Sequence, residues 1–200
     1  MPSRAVLPFP FPLSIGTDIC HIPRIHRILQ HSERRRLQFV RRVLNATETA
    51  RPHLREPIAW ILDGRVPAKE GRRLGAAAEK DGGAGGASDL WRAACFMAGR
   101  FAAKEAVIKA HHEHKLTFHD ITILSRRTAA AATTRERNRQ TEDYDDSSDE
   151  TGRRSAAEEE ERGSGPPVAT VMLAGEAHEV AVSISHDGDY ATAVCLGVRV

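Results

Sequence analysis

The sequence predicts an α+β fold in which one long helix packs on a small antiparallel sheet. The strongest helical pattern runs over Leu90–Ala110, where apolar residues recur at the helical period. Short runs with the composition of strands lie on both sides of it. The last two runs are separated by an Asp-Gly turn, which is typical of a hairpin between antiparallel strands.

The N-terminal part is predicted to contain a strand and then short helices. Leu13–Ile19 has the pattern of a strand, and Gly16 within it permits a close backbone approach. Pro23 suits the first turn of a helix, because that position needs no N–H donor. A second helix is predicted over Leu37–Val43. Asn45, with a Glu three residues later, has the capping-box pattern that begins a further helix.

After the long helix, the sequence predicts the remaining strands of the sheet. Two of them are expected at Phe118–Leu124 and Val168–Leu173. Val180–Ile184 alternates toward a turn at His186–Asp189, and Tyr190–Val198 forms the final strand.

The length of 200 residues fits a single domain, 1–200, that carries two insertions. Residues 64–88 are Gly/Ala-rich and are predicted to be flexible, and residues 126–165 are charged and are predicted to be disordered. The stretch 126–162 holds eight basic and eleven acidic residues, a net charge of −3. Because the whole chain carries +2, the remainder carries about +5. A basic surface of this kind suits acidic or phosphorylated partners.

Three cysteines, Cys20, Cys95 and Cys195, lie far apart in apolar runs without a CxxC pair. This spacing predicts buried thiols in a reducing compartment and argues against a disulfide framework or a zinc site. Met1–Leu13 lacks the features of a secretory signal and is a poor mitochondrial presequence, and no stretch is apolar for long enough to span a bilayer. We expect an intracellular protein, cytoplasmic or mitochondrial, with neither a membrane nor a nucleic acid as partner.

The long helix carries charged residues beside its apolar face. At about 100° per residue, Arg100 and Lys104 project into the apolar arc, Glu105 lies at its border, and Lys109 follows one turn later. Charges in such positions are costly unless they are paired or bound to a ligand. Two interpretations stay open: a Glu105–Lys109 pair within the helix with the basic side chains reaching water, or a ligand site.

Asp18 raises the same question in the first strand, where Asp is a disfavoured residue. It either caps the turn that leads to Pro23 or supplies a metal ligand in a cleft. Two carboxylates from separate elements, together with water and substrate phosphates, are sufficient for a Mg²⁺ site.

The histidines allow several interpretations. The sequence SISH at 183–186 offers a hydrolase-like Ser and His, but adjacent strand residues point to opposite faces and no G-x-S-x-G elbow is present. His186 is otherwise an exposed hairpin residue or a phosphate ligand. His111, His112 and His114 cluster after the long helix without a convincing ligand set for a metal.

Five motifs occur in the order that is typical of one enzyme family. They are IGTDI at 15–19, FVRRVL with TE within 39–48, RFAAKEAVIKA at 100–110, FHDI at 118–121, and VSISH with DYA within 182–191. Together these motifs resemble those of the holo-acyl-carrier-protein synthase type of 4′-phosphopantetheinyl transferase. The two insertions indicate a eukaryotic relative, of fungal type.

The resemblance implies an enzyme that transfers 4′-phosphopantetheine from coenzyme A to a serine of an apo acyl carrier protein. The second product would be adenosine 3′,5′-bisphosphate. Carried over by position, Asp18 and Glu105 would bind Mg²⁺ and act in catalysis. Lys109 would lie near the same phosphates as a further catalytic residue.

The resemblance also implies roles in binding the coenzyme and the partner. Arg100, Lys104 and His186 would contact coenzyme A, with Arg100 and His186 at its 3′-phosphate. Arg24 would face the acidic carrier protein, and the cluster Arg34–Arg36 either does the same or forms a solvated helix face. The implied fold is that of the phosphopantetheinyl transferases, assembled as a homotrimer with coenzyme A between subunits.

Two rival functions stay open. A Mg²⁺-dependent hydrolase of nucleotides or phosphoesters would use the same carboxylates, although it lacks a second acidic cluster outside the charged insertion. A non-catalytic module that binds carrier proteins would not need both Asp18 and Glu105. The chain also departs from the family where residues 111–115 replace a Gly-rich turn and Asp187 replaces a small hydroxyl residue.

Overall fold

The computed structural model describes residues 10–65, 89–125 and 166–198. Apart from Gly64 and Arg65, both predicted insertions lie outside these ranges, so the flexibility and disorder expected of them stay predictions. The helices are α1 (Ile22–Gln30), α2 (Glu33–Val43), α3 (Ala46–Ala50), α4 (Pro52–Arg55), α5 (Ala59–Leu62) and α6 (Asp89–Ala110), with 3-10 turns at Glu56–Ile58 and Phe118–Asp120. The strands are β1 (Leu13–His21), β2 (Ile121–Ser125), β3 (Pro167–Leu173), β4 (Glu176–Asp187) and β5 (Tyr190–Val198).

The predicted α+β class is confirmed. The five described strands form one antiparallel sheet in the order β1-β5-β4-β3-β2, and α6 packs across β1, β5 and β4. The capping box at the start of α3 is present: the Asn45 side chain accepts from the Glu48 N–H, and the Glu48 side chain accepts from the Asn45 N–H. None of the helices in the described ranges has the length and apolar character needed to cross a membrane.

The strand predicted at Phe118–Leu124 needs correction. Thr117 and Asp120 form a second capping box, which turns Phe118–Asp120 into a 3-10 helix. The strand therefore begins only at Ile121.

The hairpin between β4 and β5 is also tighter than predicted. β4 continues past Ile184 to Asp187, which pairs with Tyr190. Ser185 and His186 are therefore strand residues, and the turn consists of two residues, Gly188 and Asp189. Gly188 has a φ of 51°, which the first position of such a short turn requires.

The inner face of β1 and β5 is built from small residues that let α6 approach closely. The buried positions along these two strands are Ser14, Gly16, Cys20, Ala191, Ala193, Cys195 and Gly197. A Cβ placed on Gly16 would lie 1.9 Å from the carbonyl oxygen of Ala106, so the strand and helix backbones are in contact there. Ser14 Oγ donates to the carbonyl of Ala110 and fixes the end of the helix on the same strand.

The outer face of the same two strands is apolar and open to solvent. It consists of Ile15, Ile19, Val194, Leu196 and Val198, which we call the outer apolar face. These side chains are 42% to 70% exposed, and the register places Ile15 opposite Leu196. A continuous exposed apolar surface is typical of an interaction site.

Replacing Gly16 with Ala is expected to destabilise the fold strongly, because the new methyl group must displace the strand or the helix backbone. Over-packing typically costs about 1–3 kcal/mol, and a clash with backbone belongs at or above the upper end of that range. Urea unfolding measures the loss. Thr17→Ala, on the exposed side of the same strand, is the control and should change the free energy of unfolding by at most about 0.5 kcal/mol. Unchanged stability of Gly16→Ala would contradict the close packing.

The three cysteines are free, and burial raises the pKa of each thiol, to about 11 for Cys195. Little thiolate is then present at about pH 8, so the folded protein is expected to react slowly with Ellman's reagent. Unfolding in guanidinium should make all three thiols react rapidly. A thiol that reacts rapidly in the native protein would show that its surroundings are not packed as described.

Candidate active site

β1 and the C-terminal half of α6 bring Asp18 and Lys109 together. Asp18 lies two residues after Gly16 and points to the same side of the strand. Lys109 Nζ donates to Asp18 Oδ1 at 2.7 Å and to the carbonyl of Thr17 at 3.0 Å. The other carboxylate oxygen of Asp18, Oδ2, is buried and has no hydrogen-bond partner in the part of the chain described. Such an oxygen is a position that a cation or a donor from a ligand can fill.

Glu105 lies one helical turn before Lys109, so their Cβ atoms are about 5–6 Å apart. The charged partner of Lys109 is Asp18 rather than Glu105, so the pairing within the helix that periodicity left open does not form. The Glu105 side chain instead lines a cavity. Asp18 and Glu105 therefore lie on either side of one lysine.

The cavity has a volume of about 480 Å³ and opens between the end of α2, the C-terminal half of α6 and the 3-10 turn at Phe118–Asp120. It is lined by Arg42, Glu105, Ile108, Thr117, Phe118 and His119. Ile108 and Phe118 give it an apolar wall, while Arg42 and Glu105 contribute opposite charges. This combination suits a ligand with an uncharged chain and an anionic group.

A buried ion pair lies behind the wall of the cavity. Lys104 and Glu48 are 0% and 1% exposed, and their charged atoms are 2.5 Å apart. Lys104 also donates to the carbonyl of Phe118 at 2.9 Å. The Glu48 carboxylate accepts two further bonds, from the N–H of Asn45 at 3.0 Å and from that of Ile123 at 3.2 Å. All these groups have protein partners, as buried polar groups require.

The position of Lys104 differs from the one that the sequence led us to expect. Burial lowers the pKa of its amine, and the neighbouring Glu48 carboxylate raises it. Because the amine is enclosed and bonded to protein atoms, it does not reach into the cavity. The expected contact between Lys104 and the coenzyme has no support in this geometry, and the side chain has a structural partner instead.

Arg100 is also directed into the protein. Its guanidinium donates to the carbonyl of Ile123 at 2.6 Å and lies 5.1 Å from the centre of the Phe96 ring. Burial lowers the pKa of Arg100, and Glu48 opposes this effect. Within one chain, therefore, the structure does not bring Arg100 to the carboxylates.

His186 lies farther along α6 from the two carboxylates. Its ring Nε2 is 3.1 Å from the carbonyl of Cys95, and a Cβ on Gly99 would be 3.0 Å from the ring. Gly99 precedes Glu105 by six residues, which is about 9 Å along a helix axis. His186 and the Asp18–Glu105 pair are therefore separate sites within a single chain.

The predicted partner-binding arginines differ in their exposure. Arg24 is exposed, with its guanidinium 5.4 Å from the centre of the Phe101 ring. Arg34 and Arg35 are exposed on α2, whereas Arg36 is buried 5.2 Å from the ring centre of Trp60. The predicted cluster is thus divided, and Arg36 packs inside the protein.

Sequence reasoning missed the cavity wall and the residues that hold it. His119 donates from its ring to the carbonyl of Arg41 at 2.7 Å, and Arg42 lines the cavity beside it. The role of Glu48 beyond capping was also missed. One signal was present: Lys104 projects into an apolar arc and therefore required a buried acidic partner from elsewhere in the chain.

Comparison with known proteins places these features in context. No family model matches the chain. A curated relative, 4′-phosphopantetheinyl transferase B, mitochondrial, of Aspergillus fumigatus, is 37% identical over 105 residues. The alignment covers 52% of this chain and 58% of the relative, so the chain spans less than two thirds of the relative's length.

Several solved structures are similar in part. The holo-ACP synthase from Plasmodium yoelii is 18% identical with a TM-score of 0.48, over 92% of this chain and 91% of that one. The holo-(acyl-carrier-protein) synthase from Bacillus anthracis in complex with CoA (3′,5′-ADP) is 22% identical with a TM-score of 0.42, over 92% and 93%. The Helicobacter pylori synthase in complex with coenzyme A is 19% identical with a TM-score of 0.44, over 90% and 96%.

The fungal relative matches what the motifs and the insertions led us to expect. The resemblance is therefore confirmed: the chain is similar to the holo-acyl-carrier-protein synthase type of 4′-phosphopantetheinyl transferase, with its curated relative in a fungus.

Proposed function

We propose that the chain transfers the 4′-phosphopantetheine group of coenzyme A to a serine of an apo acyl carrier protein in a Mg²⁺-dependent reaction. One observation carries the proposal. Asp18 and Glu105 lie on either side of Lys109, and Glu105 lines a cavity of about 480 Å³ with an apolar wall. The identity with a fungal transferase supports it. We place the protein inside the cell, in the cytoplasm or, like that relative, in mitochondria.

The residues present fit a Mg²⁺ ion. Asp18 Oδ2 is buried without a partner in the described ranges, and the Glu105 carboxylate faces the cavity. No three His, Cys, Asp or Glu side chains converge in the part of the chain described, so water and pyrophosphate oxygens would complete the shell. When bound, Mg²⁺ neutralises charge on the pyrophosphate of coenzyme A.

The reaction forms a bond between the serine oxygen and the phosphorus that carries pantetheine. The bond from that phosphorus to the bridging oxygen breaks, the serine loses its proton, and adenosine 3′,5′-bisphosphate leaves. Lys109, held by Asp18 and the Thr17 carbonyl, places a fixed positive charge beside the phosphates. Arg42 supplies a second cation at the cavity, and Ile108 and Phe118 hold the uncharged pantetheine arm.

The assembly that we propose is a homotrimer with coenzyme A bound between subunits. His186 is too far from Glu105 to contact the same ligand easily within one chain, so its contact with the 3′-phosphate would come from a neighbouring copy. The outer apolar face would be buried between copies, which removes exposed apolar surface from water. Arg24, Arg34 and Arg35 stay available on the surface for the acidic carrier protein.

Transfer is expected to raise the mass of an apo carrier protein by one phosphopantetheine group when coenzyme A and Mg²⁺ are present. Asp18→Asn and Glu105→Gln should each reduce kcat/KM by at least about a hundredfold, because each removes a metal ligand while preserving shape. Mass spectrometry of the carrier gives the rate, and circular dichroism checks the fold. Absence of any mass gain with the wild-type protein would overturn the proposal, and phosphoester turnover without a carrier would favour a hydrolase.

Val194→Lys is expected to dissociate the assembly, because it places a charge in the centre of the outer apolar face. Light scattering should give three times the 22.0 kDa chain mass for the wild-type protein and a single chain mass for the variant. Gln30→Lys, an exposed residue at the end of α1, is the matched control and should leave the mass unchanged. A wild-type protein that is monomeric at micromolar concentration would contradict the proposed trimer.

A further inference from the structure

We infer that Glu48 and Lys104 are positioning residues for coenzyme A: their buried pair fixes the wall of the cavity opposite Glu105. The inference rests on the proposed function, since it concerns the same cavity. Neither residue lines the cavity. Both therefore act through another group, and that group is the backbone of Phe118.

The wall is a short segment, 117–119, between the end of α6 and the start of β2. Three polar contacts anchor it and the residues that follow. Lys104 Nζ binds the carbonyl of Phe118 at 2.9 Å, the His119 ring binds the carbonyl of Arg41 at 2.7 Å, and the Asn45 side chain binds the carbonyl of Ile121 at 3.1 Å.

The contact made by Lys104 differs from the other two in its origin. The other two tie the segment to α2 and to the cap of α3, whereas Lys104 belongs to α6 and is adjacent to Glu105 in sequence. The bond from Lys104 to Phe118 therefore sets the distance between the wall and the helix that carries the carboxylate. That distance is the width of the opening in which the pantetheine arm would lie.

Glu48 makes this arrangement of Lys104 possible. An ammonium group at 0% exposure needs a counter-charge, and the Glu48 carboxylate provides it at 2.5 Å. The same carboxylate accepts from the backbone N–H groups of Asn45 and Ile123, so it joins α3, β2 and α6. The pair thus connects three elements at the back of the cavity without touching its contents.

The function of this pair in positioning can be separated from its effect on stability. Replacing a buried ion pair by apolar residues of similar volume is often neutral or stabilising, because both desolvation penalties disappear together. Glu48→Leu combined with Lys104→Met makes this replacement and removes the bond to Phe118. The double variant should therefore stay folded while the wall loses its tie to α6.

The test compares transfer kinetics of the wild-type protein and the double variant at saturating carrier protein. We expect the KM for coenzyme A to rise about tenfold or more, which is the scale of losses seen when supporting residues around a site are removed. The KM for the carrier protein and the melting temperature should change little. An unchanged KM for coenzyme A in the double variant would overturn the inference.

Met97→Ala is the matched control for loss of stability. Met97 is fully buried on the same helix, outside the cavity and outside the ion-pair network. The variant should melt at a lower temperature yet keep the wild-type KM for coenzyme A. An equal rise in that KM in Met97→Ala would show that the double variant reports only general loosening, and the inference would fail.

Glu48→Gln replaces the double variant if that protein does not fold. It keeps the shape of the side chain but removes the charge that holds Lys104, so the KM for coenzyme A should still rise several-fold. A wild-type KM in Glu48→Gln would overturn the inference. If the wild-type protein itself shows no transfer, the proposed function fails. If the wild type transfers normally and the variants match it, only the positioning role fails.

Discussion

The contact between α6 and Gly16 is the constraint on which the site depends. The absence of a side chain at this position lets the backbone of β1 touch the helix at Ala106. That contact fixes which part of α6 lies beside β1, and Lys109 follows Ala106 by less than one turn. Lys109 therefore meets Asp18, and Glu105 lies on the neighbouring side of the same helix. The small side chains along β1 and β5 make this geometry possible, and larger ones would push the helix away.

The charged residues of α6 are divided between two environments. Lys104 faces inward and is neutralised by Glu48, whereas Glu105 faces the cavity and Lys109 reaches Asp18 at a half-exposed position. Desolvation is costly for the buried pair and small for the others. The buried pair therefore serves the architecture, while the exposed charges are left to interact with a ligand. Adjacent residues of one helix thus have different tasks because they point in different directions.

Much of this arrangement could be predicted from the sequence, and the missing parts have physical reasons. The long helix, the strands and the capping box at Asn45 follow from local periodicity and short-range hydrogen bonds, so they were predicted. The motif order also identified Asp18, Glu105 and Lys109. The partner of Lys104, the burial of Arg36 and the inward direction of Arg100 depend on contacts between residues far apart in sequence, such as Glu48 with Lys104. Periodicity shows that such a charge needs a partner but does not identify it.

The central claim is that the pyrophosphate of coenzyme A lies at Asp18, Glu105 and Lys109. A crystal structure of the full chain with coenzyme A and Mg²⁺ tests this claim most directly. The account predicts pyrophosphate oxygens near Lys109 Nζ, a cation between them and the two carboxylates, and the pantetheine arm against Phe118. Coenzyme A bound elsewhere, with Asp18 and Glu105 in contact only with protein and water, would contradict it.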